Sequence, residues 1–284
     1  MHYPYPFTPS TLKIGDHALS YIDQGQGRVV VMVHGNPTWS FYYRNLAELL
    51  KESFRVIAPD HIGCGYSSKP RDYPYRLQDH IYNLEQLIDS LGVEKVSLVM
   101  HDWGGAIGMG FAGRRPEMIE SLVVLNTAAF CSNRIPWRIK ICRTPLLGPL
   151  MIRGANAFAR AAITMAVNRP ISSEVARGYL APYDSWQNRI ATLRFVQDIP
   201  LSEKDRSWKT LKKVEAGLEQ FKETPMLILW GGKDFCFNDH FYNEWRRRFP
   251  NARTRYFPEA GHYILEDAFD EIGPIVLNFF NELK

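Results

Sequence analysis

Five short apolar runs spaced along the chain constrain its fold more than any other feature. They consist mainly of Val, Ile, Leu and Met, and each ends in small or polar residues: 27–35, 54–60, 95–102, 121–128 and 225–234. Continuous apolar runs of this length are typical of strands buried on both faces, which occur in parallel sheets covered by helices. The sequence therefore predicts a mostly parallel sheet inside an α/β domain.

Segments with helical periodicity alternate with the earlier strands. Residues 40–51 and 78–91 are predicted helices, and residues 263–283 form a predicted amphipathic helix that closes the chain. Strands that alternate with helices are characteristic of a doubly wound α/β sheet. We therefore expect helices on both faces of the sheet.

The region from about residue 130 to 220 breaks this alternation. It has no strand pattern, and its helical stretches are interrupted by six prolines. A region of this kind is typical of a helical insertion rather than an independent domain. We predict a core formed by residues 1–129 and 221–284, with a helical cap at residues 130–220.

Composition and charge exclude several classes of protein. The 284 residues are 45% hydrophobic, enough for one large core, and the net charge of +4 is spread without a long run of one sign. A nucleic-acid partner is therefore not expected. The four cysteines lack metal-ligand spacing, which predicts no metal site and a reduced, cytoplasmic setting. Neither a signal peptide nor a membrane-spanning run of about 18 apolar residues is recognised, so membrane contact is not expected.

Residues whose side chains could take part in catalysis follow the predicted strands. Asn36, Asp102 with Trp103, and Asp234 each come after a strand, and His262 precedes the last helix. Ligands of open α/β sheets bind beyond the carboxyl ends of the strands. Taken singly, these residues also fit local roles as helix caps or turn residues. Together they follow the chain order nucleophile, acid, histidine of an α/β-hydrolase triad, with the nucleophile on a sharp strand-to-helix turn.

Four motifs carry a resemblance to a known family. The segments HGNPTWS and HDWGGAIG resemble the oxyanion loop and nucleophile elbow of haloalkane dehalogenases, and WGGKD and EAGHYILED resemble their acid and histidine loops. The resemblance covers essentially the whole chain and implies an α/β-hydrolase fold. Asp234 combined with Asn36 points to the branch called subfamily III. That branch overlaps with bacterial β-lactone decarboxylases of long-chain olefin biosynthesis, which residues 182–202 also resemble.

The resemblance implies an aspartate nucleophile. A carboxylate is already ionised at neutral pH, so Asp102 needs no base to attack an sp³ carbon and form an ester. His262 would then deprotonate a water that hydrolyses this ester, with Asp234 orienting the imidazole. The resulting expectation is a haloalkane dehalogenase that releases alcohol, halide and a proton without a cofactor or metal. A β-lactone decarboxylase is the open alternative.

The same resemblance suggests how the leaving group and substrate are held. The indole N–H of Trp103 and the side-chain amide of Asn36 would stabilise the departing anion, and backbone N–H groups at the same residues would form the oxyanion hole. Core packing and turn formation are the structural alternatives for these residues. The candidate walls of the substrate pocket, for which packing is equally an alternative, are Phe130, Trp137, Phe158 and Met165.

Two further functions are disfavoured. An epoxide hydrolase would use two cap tyrosines, for which Tyr179 and Tyr183 are candidates, but such enzymes commonly carry an apolar residue where this chain has Asn36. A receptor or scaffold without activity is disfavoured because no triad position is missing. The expected partners are a small apolar substrate, water and a halide product. A homo-oligomer or, for a β-lactone decarboxylase, a complex of olefin-biosynthesis enzymes remains open.

Overall fold

A mostly parallel sheet of eight strands forms the centre of the molecule in a computed structural model that describes residues 3–283. The strands are Ser10–Ile14 (β1), His17–Gln24 (β2), Val29–Val33 (β3), Arg55–Pro59 (β4), Val96–Asp102 (β5), Ile119–Thr127 (β6), Met226–Gly231 (β7) and Arg253–Phe257 (β8). Their order in the sheet is β1-β2-β4-β3-β5-β6-β7-β8. Strands β3 to β8 are parallel, and β2 pairs antiparallel with both β1 and β4.

Helices cover both faces of this sheet. They are Arg44–Leu50 (α1), Leu77–Ser90 (α2), Trp103–Arg114 (α3), Trp137–Cys142 (α4), Leu147–Pro149 (α5), Ala157–Met165 (α6), Ser173–Leu180 (α7), Ile190–Asp198 (α8), Trp208–Gly217 (α9), Asp239–Arg248 (α10), Ile264–Asp267 (α11) and Phe269–Glu282 (α12). Successive residues of the buried strands pack into two separate apolar clusters, one under α2 and α3 and the other under α1 and α12. The predicted doubly wound α/β fold is therefore confirmed.

All five predicted strands are present, whereas β1, β2 and β8 were not predicted. Every residue of β3, β5 and β7 is buried, so their sequences show the continuous apolar character expected of central strands. In contrast, β1 and β8 lie at the two edges of the sheet and expose several side chains to solvent. Their polar sequences therefore carry no signal of burial.

The region between β6 and β7 contains helices and loops but no strand. Helices α4, α6 and α8 line the cavity described below, together with Asp102 at the carboxyl end of β5. Helix α9 falls within the range predicted as cap, yet it packs against α2 and α3 of the core. The division into core and cap at residues 130 and 220 stays a prediction. Among residues 3–283, no helix is both long and apolar enough to cross a membrane.

Candidate active site

Asp102 lies on a sharp turn between β5 and α3. Its backbone φ of 52° is in a region that favours glycine, so the surrounding chain must impose this conformation. The turn also brings backbones too close for side chains: a Cβ on Gly104 would overlap the carbonyl of Val33, and one on Gly35 would overlap the Asp102 carboxylate. Gly35 and Gly104 are therefore required because a larger side chain would clash at these positions. The result is a carboxylate held at the carboxyl edge of the sheet.

The structure brings Asp102, His262 and Asp234 together. His262 Nδ1 donates a hydrogen bond to Asp234 Oδ2 at 2.7 Å, because an ionised carboxylate can only accept. On the other side of the ring, Nε2 lies 3.5 Å from Asp102 Oδ2. All three side chains are buried, at 8%, 5% and 3% exposure for Asp102, His262 and Asp234. The arrangement is that of an imidazole bridging two carboxylates.

The charges of this triad depend on one another. Burial lowers the pKa of His262, but the charges and hydrogen bonds of Asp234 and Asp102 outweigh that effect and raise it to about 10. For Asp102, burial raises the pKa, while the hydrogen bond and charge of His262 hold it below its ordinary value. At neutral pH the favoured state is therefore an imidazolium next to an ionised Asp102.

Several groups hold Asp234 in place. Its Oδ1 accepts hydrogen bonds from the backbone N–H groups of Cys236 at 2.6 Å and Phe237 at 3.0 Å. Its Oδ2 accepts one from Asn126 Nδ2 at 3.0 Å, in addition to the one from His262. Asn126 also exchanges hydrogen bonds with the backbone of Gly231. Asn126 therefore links the Asp234 carboxylate to the end of β7.

Asn36 and Trp103 border Asp102 on the cavity side. The backbone N–H of Asn36 donates a hydrogen bond to Asp102 Oδ1 at 2.6 Å. The side-chain amide of Asn36 donates to the carbonyl of Thr192 in α8 at 3.3 Å. Trp103 is half-buried, and its indole packs against Phe195 with ring centroids 5.3 Å apart. Both side chains line the cavity that Asp102 faces.

An apolar cavity of about 420 Å³ opens above Asp102 and His262. It is lined by all four predicted wall residues, Phe130, Trp137, Phe158 and Met165. Phe130 is buried against Phe241 and Trp245, whereas Trp137 is 66% exposed and lies at the rim. The cavity therefore fits an apolar ligand that contacts Asp102.

The two candidate tyrosines for epoxide activation do not line this cavity. The Tyr179 hydroxyl donates to Glu266, and the Tyr183 hydroxyl donates to the carbonyl of Thr38 at 3.3 Å. Both rings are buried among core residues. Neither hydroxyl is available to an epoxide oxygen above Asp102.

Sequence reasoning missed Asp267, which positions the His262 loop. Asp267 accepts hydrogen bonds from the backbone N–H of Gly261, next to His262, and from those of Asn168 and Arg169 in the cap. Asp267 lies beside Glu266 in the acidic stretch EDAFDE, so the local sequence does not distinguish it from its neighbours.

His101 supports the same loop from the other side. Its Nε2 donates a hydrogen bond to the carbonyl of His262 at 2.8 Å. Burial lowers the pKa of His101 to about 3, so its ring is neutral. A neutral ring with hydrogen on Nε2 fixes the backbone of His262 without adding charge to the triad.

No group of three or more His, Cys, Asp or Glu side chains within the described part of the chain is arranged to hold a metal ion. The four cysteines are all free thiols. Cys236 lies beside the triad, where burial and the neighbouring Asp234 carboxylate raise the pKa of its thiol well above the ordinary value. At neutral pH this thiol is therefore protonated and uncharged.

The chain is similar to known proteins over nearly its whole length. The chain is 50% identical, over 98% of its length and 90% of the relative, to a cis-3-alkyl-4-alkyloxetan-2-one decarboxylase from Shewanella oneidensis. It is 42% identical to a protein of the same name from Xanthomonas campestris, over 98% of both chains. The crystal structure of a haloalkane dehalogenase from Bradyrhizobium elkani superposes with a TM-score of 0.89 at 27% identity, covering 97% of this chain and 98% of that one.

The model of the alpha/beta hydrolase family matches residues 30–273, which include every strand from β4 to β8 and all of the site residues named above. The resemblance to dehalogenases and β-lactone decarboxylases is confirmed at the level of the family. The chain belongs to the alpha/beta hydrolase family.

Proposed function

We propose that this protein converts cis-3,4-dialkyl β-lactones to alkenes and carbon dioxide. The observation that carries the proposal is the buried Asp102 carboxylate, which faces an apolar cavity and lies next to an imidazolium. The higher identity to the two named decarboxylases than to the dehalogenase supports this activity over dehalogenation. The sequence motifs favoured dehalogenation, with β-lactone decarboxylation as the alternative, so this preference is reversed.

In the first step, Asp102 attacks the ring carbon that carries both an alkyl group and the ring oxygen. The bond from that carbon to the ring oxygen breaks, its electrons stay on oxygen, and a carboxylate is released on the neighbouring carbon. An ester to Asp102 is formed with inversion at the attacked carbon. Asn36 and Trp103 are adjacent donors for the released carboxylate, which would otherwise be an unpaired charge in an apolar cavity.

In the second step, the carboxylate leaves as carbon dioxide. The electrons of the carbon–carboxylate bond form the double bond, while the bond between carbon and Asp102 breaks and regenerates the nucleophile. Inversion followed by anti elimination yields a cis alkene from a cis lactone. His262 stays protonated, and its Nε2, which lies 3.5 Å from Asp102 Oδ2, stabilises the negative charge that returns to the Asp102 carboxylate. No water is consumed.

Haloalkane dehalogenation is the second candidate, favoured by the donors beside Asp102 and by the similar dehalogenase structure. Here Asp102 displaces a halide, and the alkyl ester lacks a carboxylate that could leave. Forming the ester removes the charge of Asp102, one of the two carboxylates that raise the pKa of His262. The imidazole then becomes a better base for water, with Asp234 stabilising the charged ring.

One experiment separates the two activities. The same preparation is offered 1-bromohexane or a long-chain cis-β-lactone in oxygen-18 water, and bromide, alkene, carbon dioxide and the mass of the Asp102 peptide are measured. We expect alkene and carbon dioxide in equal amounts and no oxygen-18 in the peptide. Bromide release with oxygen-18 in Asp102, and no alkene, would select dehalogenation instead. Asp102→Asn is the control, and it should be inactive in both reactions because each begins with attack by Asp102.

A further inference from the structure

One segment of the cap exposes an unusual number of large apolar side chains. Nine large apolar residues are exposed among residues 3–283, and five of them lie between positions 137 and 150. Trp137, Leu146 and Leu150 are 66%, 81% and 62% exposed. We call the exposed side chains of residues 134–150 the cap patch. Contiguous apolar exposure of this kind marks an interaction surface rather than ordinary solvent-facing residues.

The cap patch is also basic. Between residues 121 and 173 the chain has seven Lys and Arg residues and no Asp or Glu. Arg143 pairs with Asp205 at 2.6 Å. In contrast, Arg134, Arg138 and Lys140 are exposed and form no ion pair within residues 3–283. Their charge is therefore available to a negatively charged partner.

Charged and apolar groups are interleaved in this region. The Arg138 guanidinium lies 5.2 Å from the centre of the Trp137 ring. Arg153 lies 4.6 Å from the Trp186 ring, which is itself 44% exposed. Aromatic rings and basic side chains next to exposed leucines form the composition that binds at the boundary between lipid headgroups and acyl chains.

The cap patch is continuous with the mouth of the active-site cavity. Trp137 and Ile141 line that cavity and are also exposed at the surface. Arg134 and Arg138 lie at the same rim. A surface bound at the cap patch would therefore face the entrance to the cavity directly.

We propose that the cap patch docks on the surface of an anionic lipid bilayer. Unpaired basic residues attract anionic headgroups, and leucines that protrude between them are buried among acyl chains. A second copy of the chain would bring two basic clusters together, which is unfavourable. Docking would place the mouth of the cavity against the bilayer, so an apolar substrate would reach Asp102 without crossing water. Membrane contact was not predicted from the sequence, because the exposure of these leucines is visible only in the fold.

Vesicle binding tests this proposal without any turnover, so its result is independent of the proposed reaction. The full chain is incubated with vesicles of phosphatidylcholine alone or of equimolar phosphatidylcholine and phosphatidylglycerol, and the bound fraction is measured by flotation. We expect binding to the anionic vesicles only, weakening as salt is raised. Arg138→Glu with Lys140→Glu should weaken binding by about 30-fold or more, since each basic residue near the surface contributes about one kcal/mol.

Matched controls separate the cap patch from general charge and apolarity. Leu146→Ser with Leu150→Ser should also lose binding, whereas Tyr82→Ser, which alters an exposed ring on α2, should not. All variants are first shown to be folded by thermal unfolding.

The charge control is Lys13→Glu with Lys209→Glu, which makes the same change in net charge outside the cap patch and should retain binding. Failure of the wild type to bind anionic vesicles overturns the proposal, as does equal loss in the controls. Light scattering that finds a dimer broken by the cap variants, with no vesicle binding, assigns the cap patch to a second copy instead.

Discussion

Replacing Asp234 with Asn tests how His262 is held and charged. Burial lowers the pKa of His262, yet the two carboxylates raise it from 6.5 to about 10. Each pKa unit corresponds to about 1.4 kcal/mol, so the site stabilises the imidazolium by about 5 kcal/mol relative to a histidine in water. Asp234 accepts the 2.7 Å hydrogen bond from Nδ1, whereas Asp102 is 3.5 Å from Nε2. Asp234 is therefore the larger contributor, and we expect Asp234→Asn to remove most of this preference and to lower the pKa of His262 toward its ordinary value.

The substitution has two further consequences. An asparagine no longer stabilises the charged ring through Nδ1, so the imidazolium beside Asp102 is less populated and turnover should fall by about two to four orders of magnitude, the loss found in triads with the same change. Because the pKa of folded His262 lies above that of an unfolded histidine, its protonation stabilises the fold fully below pH 6.5. This contribution is lost as the pH rises through about 10. The variant should therefore unfold at lower urea concentration at pH 7, and the difference should shrink toward pH 10.

The assay is an NMR titration of the His262 ring with 13C-labelled histidine, combined with urea unfolding and turnover. Asp239→Asn is the matched control, since Asp239 is exposed at the start of α10 and contacts Tyr256 rather than His262. An unchanged His262 titration or full turnover in Asp234→Asn would refute the role assigned to this acid.

Three further substitutions test other parts of the site. The His262→Phe variant incubated with 1-bromohexane should accumulate a hexyl ester on the peptide that contains Asp102, as measured by mass spectrometry. Adding Asp102→Asn should abolish this modification. If the wild type releases bromide but the His262→Phe variant stays unmodified, a covalent step is excluded. Trp103→Phe keeps the ring but deletes the indole N–H, so kcat/KM should fall by the equivalent of about 2–4 kcal/mol, and unchanged kinetics would remove the residue from the leaving-group site. Gly104→Ala should destabilise the fold by more than about 2 kcal/mol in urea unfolding, because its Cβ would overlap a carbonyl of β3, whereas Gly113→Ala on the same helix meets no atom closer than 4.0 Å and should be neutral or stabilising.

The parts of the fold that sequence analysis predicted are those with the strongest burial. Central strands such as β5, which is buried at every residue, leave a continuous apolar run that has few other interpretations. The edge strand β8 reads RTRYF and is mostly exposed, so neither its composition nor its alternation indicates a strand. Its position follows only from pairing with β7, which is a property of the folded sheet.

A similar distinction holds for the site. The proximity of Asp102, Asp234 and His262 could be predicted because the elbow and the loop motifs place these residues at the carboxyl ends of strands in an α/β sheet. Asp267 was missed because its role is to accept backbone N–H groups from the distant cap segment at residues 168–169, and such tertiary partners leave no local pattern. The exposure of Leu146 was missed for the same reason, since an apolar residue in a predicted cap is normally assigned to packing.

The two candidate activities place opposite demands on one imidazole. Hydrolysis of an alkyl ester needs a neutral His262 to deprotonate water, whereas loss of carbon dioxide needs a cation beside the departing Asp102 carboxylate. In the free site His262 is protonated at neutral pH because its pKa is about 10. Forming the ester removes the charge of Asp102 and thereby lowers the pKa of His262. A β-lactone brings its own carboxylate into the cavity when the ring opens, and that charge takes the place of the one lost from Asp102. The substrate itself therefore keeps His262 protonated in decarboxylation, while a haloalkane, which brings no charge, leaves the ring free to act as a base.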